Sequence, residues 1–227
     1  MLPQTIPTLT GRRVTLRPFR ESDAPLVQSV ADDPLIPLIT TVPTTGSLED
    51  ALAYIDRQHE RLASGAGYSF AIANAETDEM VGQIGLWLAA IKHGRASTGY
   101  WVAPQHRRRG YVSDALRTLS DWALSLDEVQ RLELYVEPWN EGSWHAAEKC
   151  GFQREGLLRS WQLVGGERKD MYMYSRIRSR RQTPAANPPK PMAPNSHTHT
   201  GWHYEWVREA SCSITAASSS ERLHIGQ

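Results

Sequence analysis

The sequence predicts an α/β or α+β sandwich, in which about four helices flank a mixed, mostly antiparallel sheet of about six or seven strands. Two observations indicate this fold class. Segments that alternate like β-strands recur along most of the chain. Some of them are joined by short turns, as in hairpins, and others by segments with helical periodicity, as in strand–helix–strand units. A single packed sheet with helices on its faces accommodates both kinds of connection.

The amino-terminal part of the pattern contains one strand and two helices. Residues 13–19 alternate like a strand, and the following short helix ends before Asp33. Ser47-Leu-Glu-Asp is a variant of the capping box and predicts the start of a second helix. Gly65 is a typical residue to end it.

The rest of the pattern predicts a meander, two further helices and a closing hairpin. We expect strands at 68–73, 80–90, 98–103 and 131–136, helices at 112–126 and from Ser143 to Cys150, and a hairpin of 152–164 with 167–177. In this interpretation Ser143 is the cap of the last helix.

The composition divides the chain near Arg181. Residues 1–181 carry the regular patterns and are predicted to form one domain. Residues 182–227 are rich in Pro, Ser, Ala and Thr and hold one short aromatic cluster. Such a segment buries too little apolar surface to offset its backbone entropy. We therefore predict a disordered tail.

Charge and hydropathy exclude several classes of protein. The 25 basic and 25 acidic residues cancel, so no strong overall field favours nucleic acid or an anionic membrane as partner. The longest apolar run, residues 86–91, is too short to cross a bilayer, and no secretory signal is visible. With two cysteines there is no disulfide framework, so we expect a cytoplasmic protein.

One segment carries the signs of an anion site. The strand ending near Val102 is followed by the basic loop Arg107-Arg108-Arg109-Gly110 and then by an amphipathic helix. Free amides at a helix start carry partial positive charge and can hold a phosphate. The chain contains neither the P-loop pattern nor the G-x-G-x-x-G pattern of dinucleotide sites.

Three motifs together resemble the GNAT acetyltransferase superfamily, in its RimJ/RimL-type branch. Arg107-x-x-Gly110-x-Val112 resembles the [QR]-x-x-G-x-[GA] acetyl-coenzyme A signature, with Val112 in place of the usual Gly or Ala. Residues 136–152 resemble the N-x-x-S…E-K-x-G-F segment of the branch, and residues 15–23 its T-x-R-P-x-x-x-x-D opening. The resemblance covers about Arg12 to Arg178.

The resemblance implies direct transfer of an acetyl group from acetyl-coenzyme A to a primary amine. It implies a sheet that splays between the strand near Trp101 and the strand near Tyr135, which opens a slot for pantetheine. Ser143 matches the residue that, in this branch of the family, donates a proton to the departing thiolate. The residues implied in coenzyme binding are Trp101, Val102, Arg107, Arg108, Arg109, Gly110, Tyr111, Val112 and Asn140.

The general base is not evident from the motifs. Where RimL-like members place a carboxylate near the last hairpin, this chain has Gln162, which cannot accept a proton at neutral pH. Alternation puts Glu133 and Tyr135 on one strand face, and the Tyr135 position is where another branch carries its catalytic carboxylate. Glu133 is a candidate base acting through water. A water relay to bulk solvent and an already neutral amine are the alternatives.

Other reactive residue types have simpler interpretations. We expect Cys150 to be a buried apolar residue and His145 a surface residue. His197, His199 and His203 lie in the predicted tail without a cysteine partner, and we predict no metal site. The tryptophans that could either pack the core or line an acceptor pocket are Trp87, Trp101, Trp139 and Trp144.

The leading functional hypothesis is an N-acetyltransferase acting on a protein N-terminus or a small amine. The alternatives are a coenzyme A-binding module without turnover and a ribosome- or RNA-associated protein that uses its arginines. Zero net charge and the lack of an aromatic RNP-type signature weigh against the last. The acceptor itself, and the choice between monomer and homodimer, stay open.

Overall fold

The computed structural model describes residues 1–179, which form one sheet with helices on both faces. Its strands are β1 (Leu9–Thr10), β2 (Val14–Arg17), β3 (Gly67–Asn74), β4 (Met80–Trp87), β5 (Arg95–Val102), β6 (Arg131–Val136), β7 (Gln153–Val164) and β8 (Glu167–Ile177). Its α-helices are α1 (Ala24–Ser29), α2 (Ile36–Ile39), α3 (Leu48–Ala63), α4 (Tyr111–Ser125) and α5 (Glu141–Lys149). The predicted tail lies outside the described residues.

The strands are arranged in the order β1-β2-β3-β4-β5-β6-β8-β7. Every neighbouring pair is antiparallel except β5 and β6, which are parallel and are connected through α4. This is the mixed, mostly antiparallel sheet that the sequence predicts. The count is eight strands in the described chain rather than six or seven, because β1 adds a two-residue strand that is too short to show alternation.

The structure also contains a fifth α-helix that the sequence did not predict. α2 has four residues, Ile-Pro-Leu-Ile, and is too short for helical periodicity to identify. Asp33 stabilises its start, because the Oδ1 atom accepts hydrogen bonds from the amides of Leu35 and Ile36. The strand predicted at 80–90 ends at Trp87, since residues 91–93 turn into a short 3-10 helix.

Two hydrophobic clusters lie on opposite faces of the sheet. One packs α4 and α5 against β6, and its buried members include Leu116, Leu119, Leu132, Leu134 and Ala147. The other packs α1 and α3 against the opposite face, and its members include Val27, Tyr54, Ile55, Ala71 and Trp101. Successive residues of a strand face opposite sides, so β5 and β6 each contribute to both faces.

The sheet splays open between its two parallel strands. Pairing of β5 with β6 runs from Arg95↔Arg131 to Thr98↔Leu134. β5 then continues to Val102 and β6 to Val136 without further pairs between them. The resulting fork leaves the facing backbone edges of both strands unpaired over their last residues. The splay expected between Trp101 and Tyr135 is thereby confirmed.

No helix within residues 1–179 combines the length and the apolar character that crossing a bilayer requires.

Candidate active site

The start of α4 has the backbone geometry of an anion-binding loop. Gly110 is its N-cap residue and adopts a left-handed conformation with φ of 82°, which glycine accepts without steric cost. No side chain caps this helix end. Amides at the first turn therefore remain available to a ligand. Tyr111 anchors the turn to β3, because its buried ring carries a hydroxyl that accepts a hydrogen bond from Asn74 at 3.0 Å.

The three arginines before Gly110 have different environments. Arg107 Nε donates to the Val102 carbonyl at 3.1 Å, and Arg107 Nη2 pairs with Asp33 Oδ2 at 3.1 Å. Burial by itself raises the pKa of Asp33, but the amides of α2 and the Arg107 guanidinium together lower it. Arg108 and Arg109 are exposed. Arg107 thus organises the loop, and the other two side chains face solvent.

The fork and the loop lie end to end along the chain. Trp101 and Val102 are buried and occupy the unpaired part of β5, and the basic loop follows at once. Trp101 Nε1 donates to the Tyr54 hydroxyl at 3.3 Å, which holds the indole against α3. Val112 is half-buried in the first turn of α4. An open strand edge leading to an uncapped helix start suits an extended ligand that ends in a pyrophosphate.

Asn140, not Ser143, is the N-cap of α5, so the cap predicted from the sequence is wrong. The Asn140 side-chain oxygen accepts a hydrogen bond from the Ser143 amide at 3.2 Å. Ser143 is the third residue of the helix. Asn and Ser are comparable capping residues, and the helix is capped three residues earlier than we expected. The Ser143 hydroxyl is thereby free from capping.

The Ser143 hydroxyl contacts a residue that the sequence analysis missed. Tyr100, on the unpaired part of β5, places its hydroxyl 2.8 Å from Ser143 Oγ and 3.3 Å from the Ser143 carbonyl oxygen. Burial raises the pKa of Tyr100 to about 12, so the phenol stays protonated at neutral pH. Its neighbours Trp101 and Val102 were singled out, but nothing in the sequence connects Tyr100 with a serine 43 positions later.

Glu133 is buried on β6, with 5% of its surface exposed. Its Oε1 atom accepts a hydrogen bond from Arg131 Nε at 2.8 Å, and its Oε2 atom accepts one from the Tyr135 hydroxyl at 2.9 Å. Burial and then this hydrogen bond raise the pKa of Tyr135 to about 12. Glu133 pairs with Ser97, one position before the fork opens. Glu133 and Tyr135 share one face, as alternation predicts.

The same face of the fork is bordered by aromatic side chains. Tyr135 stacks on Trp161 with 5.8 Å between ring centroids, and Trp161 is 48% exposed. On the other side, Trp87 lies across Gly85, where a side chain would overlap its indole ring. The Arg61 guanidinium stacks on Trp87 at 4.5 Å. These aromatic rings form the rim on the side opposite α4 and α5.

The last hairpin and the second helix approach each other near this rim. Leu38 of α2 lies against the hairpin turn, since a Cβ atom built at Gly165 would come within 2.7 Å of its Cδ1 atom. Gln162, at the position where a carboxylate was expected, is exposed. The early helices and the hairpin therefore border one region.

The other residues named as candidates from the sequence lie in the core, partly buried or on the surface. Cys150 is buried and donates to the Ser113 carbonyl at 3.1 Å, and burial raises its pKa. His145 is exposed, with Glu148 3.8 Å away. Trp101 is buried and Trp139 is exposed, whereas Trp87 and Trp144 are half-buried. Within residues 1–179 no three His, Cys, Asp or Glu side chains converge as a metal site would require, and His197, His199 and His203 lie outside that range.

Comparison with known proteins identifies the family. The sequence profile of the acetyltransferase (GNAT) domain matches residues 13–153. The chain is 30% identical over 171 residues to "Uncharacterized N-acetyltransferase p20" of Bacillus licheniformis, covering 75% of this chain and 96% of that protein. It is 27% identical over 111 residues to the ribosomal-protein-serine acetyltransferase of Escherichia coli, covering 49% and 62%.

A solved structure shares the fold. RimJ of Mycobacterium smegmatis, determined with a coenzyme A disulfide, superimposes with a TM-score of 0.65 at 24% identity, over 78% of this chain and 90% of that one. The segment matched by the family profile, residues 13–153, includes β5, the basic loop and the start of α5. The fork and the loop therefore lie within the matched segment. The chain belongs to the GNAT family and is an N-acetyltransferase that uses acetyl-coenzyme A.

Proposed function

We propose that this enzyme transfers an acetyl group directly to the primary amine of a protein N-terminus or a small molecule. The observation that carries this proposal is the fork between β5 and β6, which opens at Thr98↔Leu134 and has Ser143 above one face and Glu133 on the other. A thioester lying in the fork is accessible from both faces. An amine can then attack on one side while a proton reaches sulfur on the other.

Acetyl-coenzyme A supplies the thioester. The proposed contacts to pantetheine are the unpaired backbone groups of Trp101 and Val102, with Asn140 alongside. The amides from Arg108 to Val112 are proposed to hold the pyrophosphate, helped by the exposed charges of Arg108 and Arg109, since the Arg107 amide already donates to the Pro104 carbonyl at 3.2 Å. Arg107 is proposed to act through its bonds to Val102 and Asp33, which hold the loop in shape.

Ser143 is the proposed proton donor to the leaving group. When the amine nitrogen bonds to the thioester carbon, the carbon–sulfur bond breaks and sulfur keeps the electron pair. A proton from Ser143 Oγ converts that thiolate into coenzyme A thiol. The half-buried hydroxyl supports this role, since it takes no part in capping α5.

Glu133 is proposed to accept the proton that the amine must lose, and Tyr135 is proposed to help hold the water that carries it. The Tyr135 phenol donates to Glu133 and lies on the rim that borders the fork. A water held by this pair can pass the proton from the amine to Glu133. The alternative, a water chain to bulk solvent, needs neither residue and is separated from this one by mutation.

The acceptor class is tested by release of free thiol from acetyl-coenzyme A. A panel of peptides with different N-termini, polyamines and aminoglycosides is offered to the wild type and to Ser143→Ala. The relative that acts on a ribosomal-protein serine supports including ribosomal-protein N-terminal peptides. We expect turnover on one class and a loss of about 100-fold in kcat for Ser143→Ala. Coenzyme binding without turnover on any amine would instead support a coenzyme A-binding module.

A further inference from the structure

We propose that Tyr100 is a positioning residue that aims the Ser143 hydroxyl at the coenzyme sulfur. This inference deepens the proposed function and rests on Ser143 as the proton donor. It assigns a role to a residue outside the coenzyme signature, on a strand otherwise expected to contribute only backbone contacts.

Tyr100 lies on the unpaired part of β5, at the edge of the fork. It is the second residue after Thr98, the last residue of β5 that pairs with β6. Its side chain packs in the cluster formed with α4 and α5, on the face where Ser143 lies. The Tyr100 hydroxyl therefore extends from the sheet to α5, near the point where β5 and β6 diverge. Within residues 1–179, Ser143 is its one hydrogen-bond partner.

The hydroxyls of Tyr100 and Ser143 have two hydrogens between them. A serine hydroxyl has one hydrogen and two lone pairs, and a phenol has one hydrogen. If Tyr100 donates to Ser143 Oγ across 2.8 Å, the serine hydrogen is left to point into the fork. If Ser143 donated to Tyr100 instead, the phenol hydrogen would go to the Ser143 carbonyl across 3.3 Å. Both arrangements use the 2.8 Å contact, but a phenol is a stronger hydrogen-bond donor than an aliphatic hydroxyl, which favours the arrangement in which Tyr100 donates and the serine hydrogen is left for sulfur.

Burial makes the Tyr100 phenol a weaker acid than a phenol in water. A pKa of about 12 keeps Tyr100 protonated at neutral pH, so the phenol retains a hydrogen to donate and does not give it up to Ser143. As the Oγ–H bond breaks and the S–H bond forms, negative charge grows on Oγ. A hydrogen bond to a charged oxygen is stronger than one to a neutral oxygen, so the phenol stabilises this charge. Oγ recovers its proton from solvent.

Tyr174 provides a matched comparison. Its phenol also lies in the α4 and α5 cluster, and its hydroxyl also donates to a residue of α5, at 3.1 Å from Glu148. It does not contact Ser143. Removing either hydroxyl removes one hydrogen bond between the sheet and α5, but only Tyr100→Phe removes a hydrogen bond to the proton donor.

The experiment is a double-mutant cycle with acetyl-coenzyme A and an accepted amine. We expect Tyr100→Phe to lower kcat by roughly 10-fold, the value of one hydrogen bond to developing charge, without changing the KM for acetyl-coenzyme A. In the Ser143→Ala background the same substitution should have no further effect on kcat. Tyr174→Phe should leave kcat unchanged.

Two results would overturn the inference alone. One is a normal kcat for Tyr100→Phe when Ser143→Ala is impaired, and the other is a Tyr100→Phe loss of equal size with and without Ser143. A fully active Ser143→Ala would overturn the proposed proton donor itself. If Tyr100→Phe does not fold, 3-fluorotyrosine at position 100 keeps the ring and hydroxyl. It must then change kcat in the presence of Ser143 and not in its absence.

Discussion

Arg107 and Asp33 form an ion pair with 3.1 Å between Nη2 and Oδ2, which joins the basic loop to the segment before α2. The same guanidinium donates to the Val102 carbonyl at the end of β5. Arg107 thus connects the end of the fork, the loop and the second helix. The sequence indicated Arg107 as a source of positive charge, but in the structure its side chain holds the loop in shape.

Asp33→Asn is expected to weaken coenzyme A binding by about threefold to tenfold, although Asp33 is not among the proposed coenzyme contacts. The amide keeps the oxygen that accepts from Leu35 and Ile36 but loses the charge that holds Arg107. Titration calorimetry measures the Kd. Asp32→Asn, at an exposed neighbour, is the control. Equal affinities in both variants would show that the ion pair does not order the loop.

Gly110→Ala is expected to reduce coenzyme A affinity by more than about 10-fold. A side chain at φ of 82° is strained by roughly 1–2 kcal/mol, so the loop shifts and its amides lose their alignment. Gly166→Ala is the matched control, because Gly166 has a φ of 83° in the last hairpin turn. Both variants should lose similar stability in thermal unfolding. If both also keep full affinity, the loop is not the pyrophosphate site.

Glu133→Gln is expected to lower kcat/KM at neutral pH. The kcat/KM of the variant should recover as pH rises, because more amine then arrives already neutral. Glu155→Gln is the control, since Glu155 pairs with the same Arg131 at 2.5 Å but lies on β7. The measurement is a pH–rate profile. A Glu133→Gln profile that overlays the wild type would remove Glu133 from the mechanism in favour of a water chain.

The ion pair of Arg131 with Glu155 is expected to make the free energy of unfolding depend on pH in the acid range. Hydrogen bonds from Arg131 and Ser175 lower the pKa of Glu155 from 4.5 to about 2. The contribution is therefore complete above pH 4.5 and is lost as pH falls toward 2. Because the side chain is 39% exposed, we expect a loss of only about 1 kcal/mol in urea unfolding. Glu155→Gln should lack this component.

A chain that ends at Arg181 is expected to keep the turnover and stability of the full chain. The composition of residues 182–227 motivates this prediction, since the segment has few apolar residues to contribute to a core. Thermal unfolding and the thiol-release assay test it. A loss of more than about 2 kcal/mol, the scale of lost packing, would contradict it.

The sequence by itself determined the features that depend on neighbours along the chain. The helix predicted at 112–126 matches α4 (Tyr111–Ser125) to within one residue at each end, because an amphipathic period is a local property. Leu132, Leu134 and Val136 alternate with Glu133 and Tyr135, which assigned the two faces of β6 correctly. The family motifs are also contiguous, so the fold class and the family followed from them.

The tertiary structure decided what depends on contacts between distant segments. The burial of Glu133, the scaffold role of Arg107 and the contact of Tyr100 with Ser143 each require strands and helices to be packed together. The choice of Asn140 over Ser143 as cap followed from the path of the chain out of β6. Local patterns report propensity and face, but a hydrogen bond between residues 43 positions apart exists only after the sheet has formed and α5 has packed on it.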